Sequence, residues 1–260
     1  MDLKELQRSE AEGSSGHHPW EKARFSAVFS CIQQFSGVAH ARFFDIGCGD
    51  TYFLQRLAEQ LPQASFVGVD TAFDAPTLTR LQETVAKKNI RLFGSIDALP
   101  TDATPADVVF LMDVLEHVED DVSFLQMLEH KGVIGPQTRL VITVPAFQKL
   151  FSSHDVWLGH FRRYTLARLH ALAQARSYQT LTSSYLFASL LLPRMMEVVR
   201  ERVLSRRRDT VQGVGAWRER KIFDACVAWV LTMDARILLA LSRGGIRLPG
   251  LSCIVVLQKI

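Results

Sequence analysis

Two segments in the first third of the 260-residue chain carry residues suited to holding a nucleoside. The apolar residues 42–46 run into a turn that contains Gly47 and Gly49, which allow tight backbone geometry and close approach of a ligand. A second apolar segment ends at Asp70, whose carboxylate can accept both hydroxyl protons of a ribose. Together these segments predict a nucleoside-binding pocket.

The residues around the turn indicate which nucleoside cofactor is bound. A dinucleotide-binding fingerprint has a third glycine where this chain has Tyr52. Asp45 lies at the turn, where its charge would repel a pyrophosphate but attract a cationic amino acid group, directly or through water. The pattern therefore favours S-adenosylmethionine over NAD.

Residues 45–49 followed by Asp70 resemble the first two motifs of the class I S-adenosylmethionine-dependent methyltransferases. In that family the first motif surrounds the methionine part of the cofactor, and the acid after the second strand holds the ribose. The resemblance implies cofactor contacts for the following residues: Asp45, Gly47, Cys48, Gly49 and Asp70.

Residues 92–100 resemble the third family motif, which ends in Leu-Pro before the fourth strand. The family usually has an aspartate that binds the adenine amino group where this chain has Ser95. A serine hydroxyl can still accept one hydrogen bond, and the backbone N–H of Ile96 can serve the ring. We therefore expect Ser95 and Ile96 to contact adenine.

Residues 106–118 resemble the fourth motif, an apolar strand followed by Leu-Glu-His-Val. Open α/β sheets bind ligands at the carboxyl ends of their strands, which predicts Met112 beside the transferable methyl group. His117 either contacts the cofactor or orients a nucleophile, or it packs or caps within the first turn that follows.

Residues 144–165, after the fifth strand, are rich in polar and aromatic side chains. They resemble a branch of the family that has Pro-Ala after the strand, then His-Asp, Gly-His and Arg-Arg-Tyr-Thr, and that is often predicted to modify small molecules or glycans. We expect His154, Asp155 and His160 to be catalytic, and Arg162, Arg163, Tyr164 and His117 to bind the substrate.

Methyl transfer is an in-line displacement in which an oxygen or amine nucleophile also loses a proton. His154 suits the general base, with Asp155 or another carboxylate orienting it. An arginine pair suits a carboxylate or phosphate on the substrate. In the alternative interpretation, residues 162–164 mainly precede a helix over 166–176 that is capped by Thr165.

Strand and helix patterns alternate along the chain, which predicts an α/β fold with a doubly wound, Rossmann-like, seven-stranded sheet. An N-terminal helix over 20–35 precedes the sheet, and the last strand is antiparallel as the resemblance implies. The predicted strands are 42–46, 65–69, 90–93, 107–111, 139–144, 178–187 and 251–259.

The predicted domain comprises residues 20–187 and 249–260, preceded by a flexible leader over 1–19. Residues 188–248 form a C-terminal helical insertion, with helices over 188–204 and 217–242 and a basic linker between them. Neither helix is a convincing membrane span. The insertion is a lid, a homodimer surface or a contact with an anionic membrane.

Composition adds few constraints: 48% hydrophobic and 22% charged residues are typical of a soluble globular protein. A net charge of +3 does not indicate nucleic acid as a partner. The four cysteines are scattered, so we expect reduced thiols in a cytoplasmic protein, and we assign no metal ligands.

The sequence thus predicts a methyltransferase that acts on an oxygen or nitrogen nucleophile of a small-molecule or sugar-linked (glycan) substrate and releases S-adenosylhomocysteine. The alternative is a noncatalytic S-adenosylmethionine-binding module that serves a protein partner. An NAD-dependent dehydrogenase would need the glycine that is missing at Tyr52.

Overall fold

A computed structural model describes residues 17–86, 88–100, 105–203 and 221–260. Most of the predicted leader and the basic linker of the insertion lie outside the described residues. The described part contains one mixed β-sheet with helices on both faces.

Seven strands form the sheet, in the order β3-β2-β1-β4-β5-β7-β6. β7 is antiparallel to both β5 and β6, whereas the remaining neighbours pair in parallel. The predicted fold class is therefore confirmed. The strands are β1 (Arg42–Ile46), β2 (Ser65–Val69), β3 (Ile90–Phe93), β4 (Val108–Met112), β5 (Arg139–Pro145), β6 (Tyr178–Leu186) and β7 (Ser252–Lys259).

The described helices alternate with the strands as the sequence predicts. They are α1 (Pro19–Ile32), α2 (Tyr52–Gln60), α3 (Ala75–Val85), α4 (Asp121–His130), α5 (Ser153–Leu158), α6 (Leu166–Ala175), α7 (Leu191–Val203) and α8 (Lys221–Arg243). Thr165 caps α6 as predicted, because its hydroxyl accepts the N–H of Arg168 at 3.3 Å.

The two faces of the sheet bury separate apolar layers. On one face the stacked rings of Phe43, Phe66 and Phe110 join three neighbouring strands and pack with α1 and α2. On the other face, side chains such as Val109 and Ile142 pack against α4 and α6. Because both faces are covered, the central strands are apolar along nearly their whole length.

Some boundaries differ from the sequence predictions. α1 ends at Ile32 rather than at residue 35, and the chain then turns through Gly37 at a φ of +75°. A 3₁₀ turn over Ala188–Leu190 separates β6 from α7, where the sequence predicted one continuous helix. Asp234 of α8 stabilises this turn, because its carboxylate accepts hydrogen bonds from the N–H groups of Ala188 and Ser189 at 3.1 and 2.7 Å.

The two helices of the predicted insertion leave an apolar surface in solvent. α8 packs on α1 and β6, yet Trp229 is 65% exposed, and Met196 of α7 is equally exposed. Within the described residues, 222–243 of α8 are long and apolar enough to cross a membrane by length and composition, and an 18-residue window in this stretch has a mean hydropathy of 1.6. Only 22% of that window is buried in the protein.

Candidate active site

A cavity of about 640 Å³ opens at the carboxyl ends of β1, β2, β4 and β5. The strand order reverses between β1 and β4, which is where open α/β sheets bind their ligands. Glycine-turn residues line one part of the cavity, and three histidines, His117, His154 and His160, line another.

The turn after β1 requires glycine for steric reasons. Gly47 has a φ of +80°, and a Cβ atom there would lie 2.6 Å from a methyl group of Val114. Gly49, at a φ of +51°, donates its N–H to Asp70 Oδ2 at 2.8 Å. Ala72 donates its N–H to the other oxygen of Asp70 at 2.9 Å, so the carboxylate is held at the edge of the cavity.

Asp45 is only 1% exposed, and neither of its carboxylate oxygens has a hydrogen-bond partner among the described residues. Burial raises the pKa of Asp45 to about 7, although the charge of Arg24 opposes the shift. An unpaired buried carboxylate is costly, and a cationic group in the cavity would relieve that cost. The site therefore fits the ammonium-bearing amino acid part of S-adenosylmethionine, as the sequence predicts.

Some residues of the third and fourth motifs line the cavity, and others lie outside it. Ile96, Met112 and Cys48 line the cavity. Ser95 does not, because its hydroxyl accepts the N–H of Asp97 at 3.1 Å and thereby caps the 3₁₀ turn Ile96–Ala98. Of the two residues predicted to contact adenine, the structure brings only Ile96 to the cavity.

α1 forms one wall of the cavity. Arg24 pairs with Asp113, and its guanidinium lies 4.3 Å from the ring centre of Trp20. Asp113 has a φ of +56°, an uncommon backbone conformation for a residue other than glycine, and such conformations cluster at functional sites.

Glu116 is a fully buried acid that lines the cavity, and no role was predicted for it from the sequence. Neither of its carboxylate oxygens has a hydrogen-bond partner within the described ranges. Burial raises its pKa well above the usual value, and the nearby charge of Asp113 raises it further. A glutamate directly after an apolar strand, beside His117, was the signal available in the sequence.

Asp155 is the centre of a buried polar network. It contacts His160 Nδ1 at 3.0 Å and accepts hydrogen bonds from Arg163 Nε at 2.7 Å and Arg194 at 3.1 Å. Burial alone would raise the pKa of Asp155, but the hydrogen bonds from His160 and Arg163 hold it below its usual value. Asp155 is thus ionised and lies behind the cavity wall.

This network corrects one prediction. Asp155 or another carboxylate was expected to orient His154, whereas Asp155 orients His160. His154 lines the cavity, and its buried Nδ1 has no hydrogen-bond partner in the described part of the chain. Burial lowers the pKa of His154, and the positive charge of Arg194 lowers it further.

The structure does not bring Arg162 and Tyr164 to the cavity, although both were predicted to bind substrate. Arg162 donates to the carbonyl of Val118 at 3.1 Å. Tyr164 is completely buried, and its hydroxyl lies 3.0 Å from both the Leu115 carbonyl and Asp121. These contacts fasten residues 162–164 to the loop after β4, as in the alternative structural interpretation.

Arg163 does line the cavity, but its guanidinium is paired with Asp155. Arg194 of α7 also lines it and donates to Ser152 Oγ at 2.6 Å as well as to Asp155. Arg194 was not predicted as a site residue, since nothing in the local sequence of α7 indicates that one arginine turns inward. The predicted insertion therefore contributes a side chain to the site.

Comparisons with known proteins agree with this geometry. Residues 44–131 match the family model described as "Methyltransferase domain". A ubiquinone biosynthesis O-methyltransferase of Hydrogenovibrio crunogenus (strain DSM 25203 / XCL-2) is 32% identical over 96 residues. That match spans 36% of this chain and 39% of the relative, so it covers about two fifths of the relative's length.

Solved structures extend the likeness over almost the whole chain. A putative sarcosine dimethylglycine methyltransferase from Galdieria sulphuraria has a TM-score of 0.55 at 16% identity, covering 91% of this chain and 85% of that one. The plantazolicin methyltransferase BpumL in complex with S-adenosylhomocysteine has a TM-score of 0.54 at 12% identity, covering 93% and 84%. At these identities the likeness establishes the fold alone.

One similar structure shows that proteins with this fold do not all have the same activity. The [4+2]-cyclase SpnF has a TM-score of 0.54 at 14% identity, covering 91% of this chain and 81% of that one. Its name is that of a cyclase, so the activity must be argued from the site. Residues 44–131 thus match a methyltransferase domain, and the sheet topology agrees with the class I S-adenosylmethionine-dependent methyltransferase fold that the cofactor motifs resemble.

Proposed function

We propose that this protein transfers a methyl group from S-adenosylmethionine to an oxygen or nitrogen atom of a small molecule. One observation carries the proposal: a single cavity is lined by Asp45 and Asp70 at one part and by His154 and His160 at another. The volume of about 640 Å³ lies within the range of small-molecule and cofactor sites.

The glycine-turn part of the cavity suits the methyl donor. Asp70, fixed by two backbone N–H groups, has lone pairs left for the ribose hydroxyls. Asp45 offers an unpaired carboxylate to the amino acid ammonium. When bound, S-adenosylmethionine supplies an electrophilic methyl group on a sulfonium, and these residues fix its position, which is most of what an in-line transfer needs.

The histidine part of the cavity suits an acceptor that must lose a proton. The lowered pKa of His154 keeps its imidazole neutral near pH 7, so it can take that proton. His160 is held by Asp155 and has only its other ring nitrogen left to face the cavity. A hydroxyl or an amine matches this set of groups.

The ion pairs of two arginines in the cavity wall indicate the charge of the acceptor. Arg163 and Arg194 both hold Asp155, so neither offers the free guanidinium pair expected for a carboxylate or phosphate on the substrate. An uncharged small molecule, including a sugar-linked one, fits the lining better. The O-methyltransferase relative supports an oxygen acceptor.

An acceptor screen scored by release of S-adenosylhomocysteine tests the proposal, with calorimetry on S-adenosylmethionine, S-adenosylhomocysteine and NAD beside it. We expect binding of the first two ligands and release with hydroxyl or amine compounds. Tight binding of NAD alone would overturn the cofactor assignment. Binding of S-adenosylmethionine without turnover on any acceptor would favour the noncatalytic module.

The exposed apolar surface of α7 and α8 supports a second proposal, that the protein is cytoplasmic and contacts an anionic membrane through this surface. Flotation with phosphatidylglycerol-containing vesicles and with phosphatidylcholine vesicles tests this idea. We expect recovery only with the anionic vesicles, lost in Trp229→Glu but kept in Leu181→Glu, which lies on β6. A concentration-dependent dimer without lipid binding would assign the surface to a homodimer instead.

A further inference from the structure

Glu116, His117 and His160 each offer one ligand atom, and these atoms lie within 4.8 Å of one another. Glu116 and His117 follow β4, whereas His160 follows α5, so the tertiary fold creates the cluster. The rings of the two histidines meet edge to face, with centres 4.6 Å apart. All three residues line the cavity.

Glu116 is the strongest indication that this cluster holds a ligand. Its side chain is fully buried, and both oxygens lack a hydrogen-bond donor among the residues described. A buried carboxylate without hydrogen bonds is strongly destabilising unless a cation or another donor pairs with it. Arg24 and Arg163, whose charges act on Glu116, are already paired with Asp113 and Asp155.

His160 is oriented as metal-binding histidines usually are. Its Nδ1 donates to ionised Asp155, which fixes the tautomer and leaves Nε2 as a lone-pair donor. Asp155 is itself held by Arg163 and Arg194, so the ring cannot easily turn. Only 8% of the His160 side chain is exposed.

We propose that Glu116, His117 and His160 bind a divalent transition-metal cation, with an open coordination position that takes the acceptor oxygen. Two imidazoles and one carboxylate suit Zn²⁺, Mn²⁺, Co²⁺ or Fe²⁺, and three protein ligands with an open position are typical of catalytic sites. This inference rests on the proposed function and refines it, since it selects a hydroxyl-bearing acceptor.

The cation lowers the pKa of the bound hydroxyl, and His154 on the same cavity takes the released proton. The oxygen then forms a bond to the methyl carbon while the carbon–sulfur bond of the donor breaks. Sulfur keeps the electron pair and becomes a neutral thioether. No electron is exchanged with the metal, so a redox-inactive ion such as Zn²⁺ suffices.

The test is metal binding by the full chain after treatment with EDTA. Zn²⁺ and Co²⁺ are added, and the bound metal is measured by elemental analysis after dialysis, by calorimetry and by the visible absorption of Co²⁺. We expect one bound equivalent, with affinity lowered about 100-fold or more in Glu116→Gln and in His117→Gln. The matched control, His40→Ala, changes an exposed histidine outside the cavity and should bind like the wild type.

The described residues contain a second group of possible metal ligands, His17, Glu21 and Asp50. Metal binding at that group would contradict the proposal. Metal binding that survives Glu116→Gln and disappears in His17→Ala would overturn the proposal, as would the absence of binding below about 1 mM. S-adenosylhomocysteine affinity is measured for each variant to show that it is folded.

Measurements of turnover distinguish failure of the proposed metal site from failure of the proposed methyltransferase function. Methyl transfer that is unaffected by EDTA and by Glu116→Gln would overturn the metal site and leave the methyltransferase assignment intact. Stoichiometric metal binding in a protein that methylates no acceptor would instead overturn the methyltransferase proposal. Loss of transfer in EDTA with recovery on adding Zn²⁺ or Mn²⁺ supports both.

Discussion

Asp155 holds Nδ1 of His160 at 3.0 Å and not the ring of His154, its neighbour in the chain. Successive residues on a helix point about 100° apart, so His154 and Asp155 of α5 face different surroundings. His154 faces the cavity, while Asp155 points into a buried network with Arg163. The two histidines therefore have different surroundings, which is why we propose different tasks for them, His154 as a base and His160 as an oriented binding group.

Replacing His154 by alanine should lower methyl transfer by about two orders of magnitude, because the acceptor loses its general base. Cofactor affinity should stay nearly the same, since the cofactor motifs lie at another part of the cavity. Single-turnover assays and calorimetry with S-adenosylhomocysteine measure the two effects. His40→Ala is the matched control, and full turnover in His154→Ala would remove His154 from the mechanism.

The raised pKa of Asp45, about 7, predicts a pH dependence of cofactor binding. A cationic ligand binds the ionised carboxylate, so it lowers this pKa and displaces the proton. Affinity for S-adenosylhomocysteine should therefore rise as the pH increases from about 5.5 to 7.5 and then level off. Calorimetry across this range, in buffers of different ionisation enthalpy, detects the released proton.

Asp45→Asn isolates the contribution of this carboxyl to cofactor binding. The amide cannot ionise, so the variant should bind more weakly at pH 7.5 and should lose most of the pH dependence. Glu83→Gln, on the exposed side of α3, is the control that leaves the cavity unchanged. An identical pH profile in Asp45→Asn would show that another group is responsible.

Local patterns in the sequence predict the strands and the strand ends that line the cavity, whereas the antiparallel last strand was expected from the family resemblance. The glycine turn at Gly47 and the acid at Asp70 belong to single strand ends, and parallel strands bring those ends together without further information. Arg194 and Asp155 are 39 residues apart in sequence, and their contact depends on how α7 packs. The hydroxyl of Tyr164 forms a hydrogen bond inside the core. The residue type alone does not distinguish such a structural tyrosine from one that binds a substrate.

Tyr164→Phe tests the structural role of that hydroxyl. The change leaves buried acceptors without their donor, so it should lower the free energy of unfolding by about 1–3 kcal/mol. Turnover and acceptor affinity should be unchanged, because the side chain lies outside the cavity. Denaturant unfolding and steady-state kinetics check the two outcomes, and a raised KM without loss of stability would restore Tyr164 as a substrate-binding residue.

Arg194→Leu tests the link between α7 and the catalytic cavity. Arg194 lowers the pKa of His154 by its charge, in addition to the effect of burial. Removing that charge should raise the pKa of His154 toward its usual value, and the acidic limb of the turnover–pH profile should move upward with it. NMR titration of the His154 ring protons measures the shift directly, and Arg200→Leu, an exposed position on the same helix, is the control. If the His154 titration is the same in both variants, α7 serves only to pack on the domain, and the predicted insertion has no electrostatic role in methyl transfer.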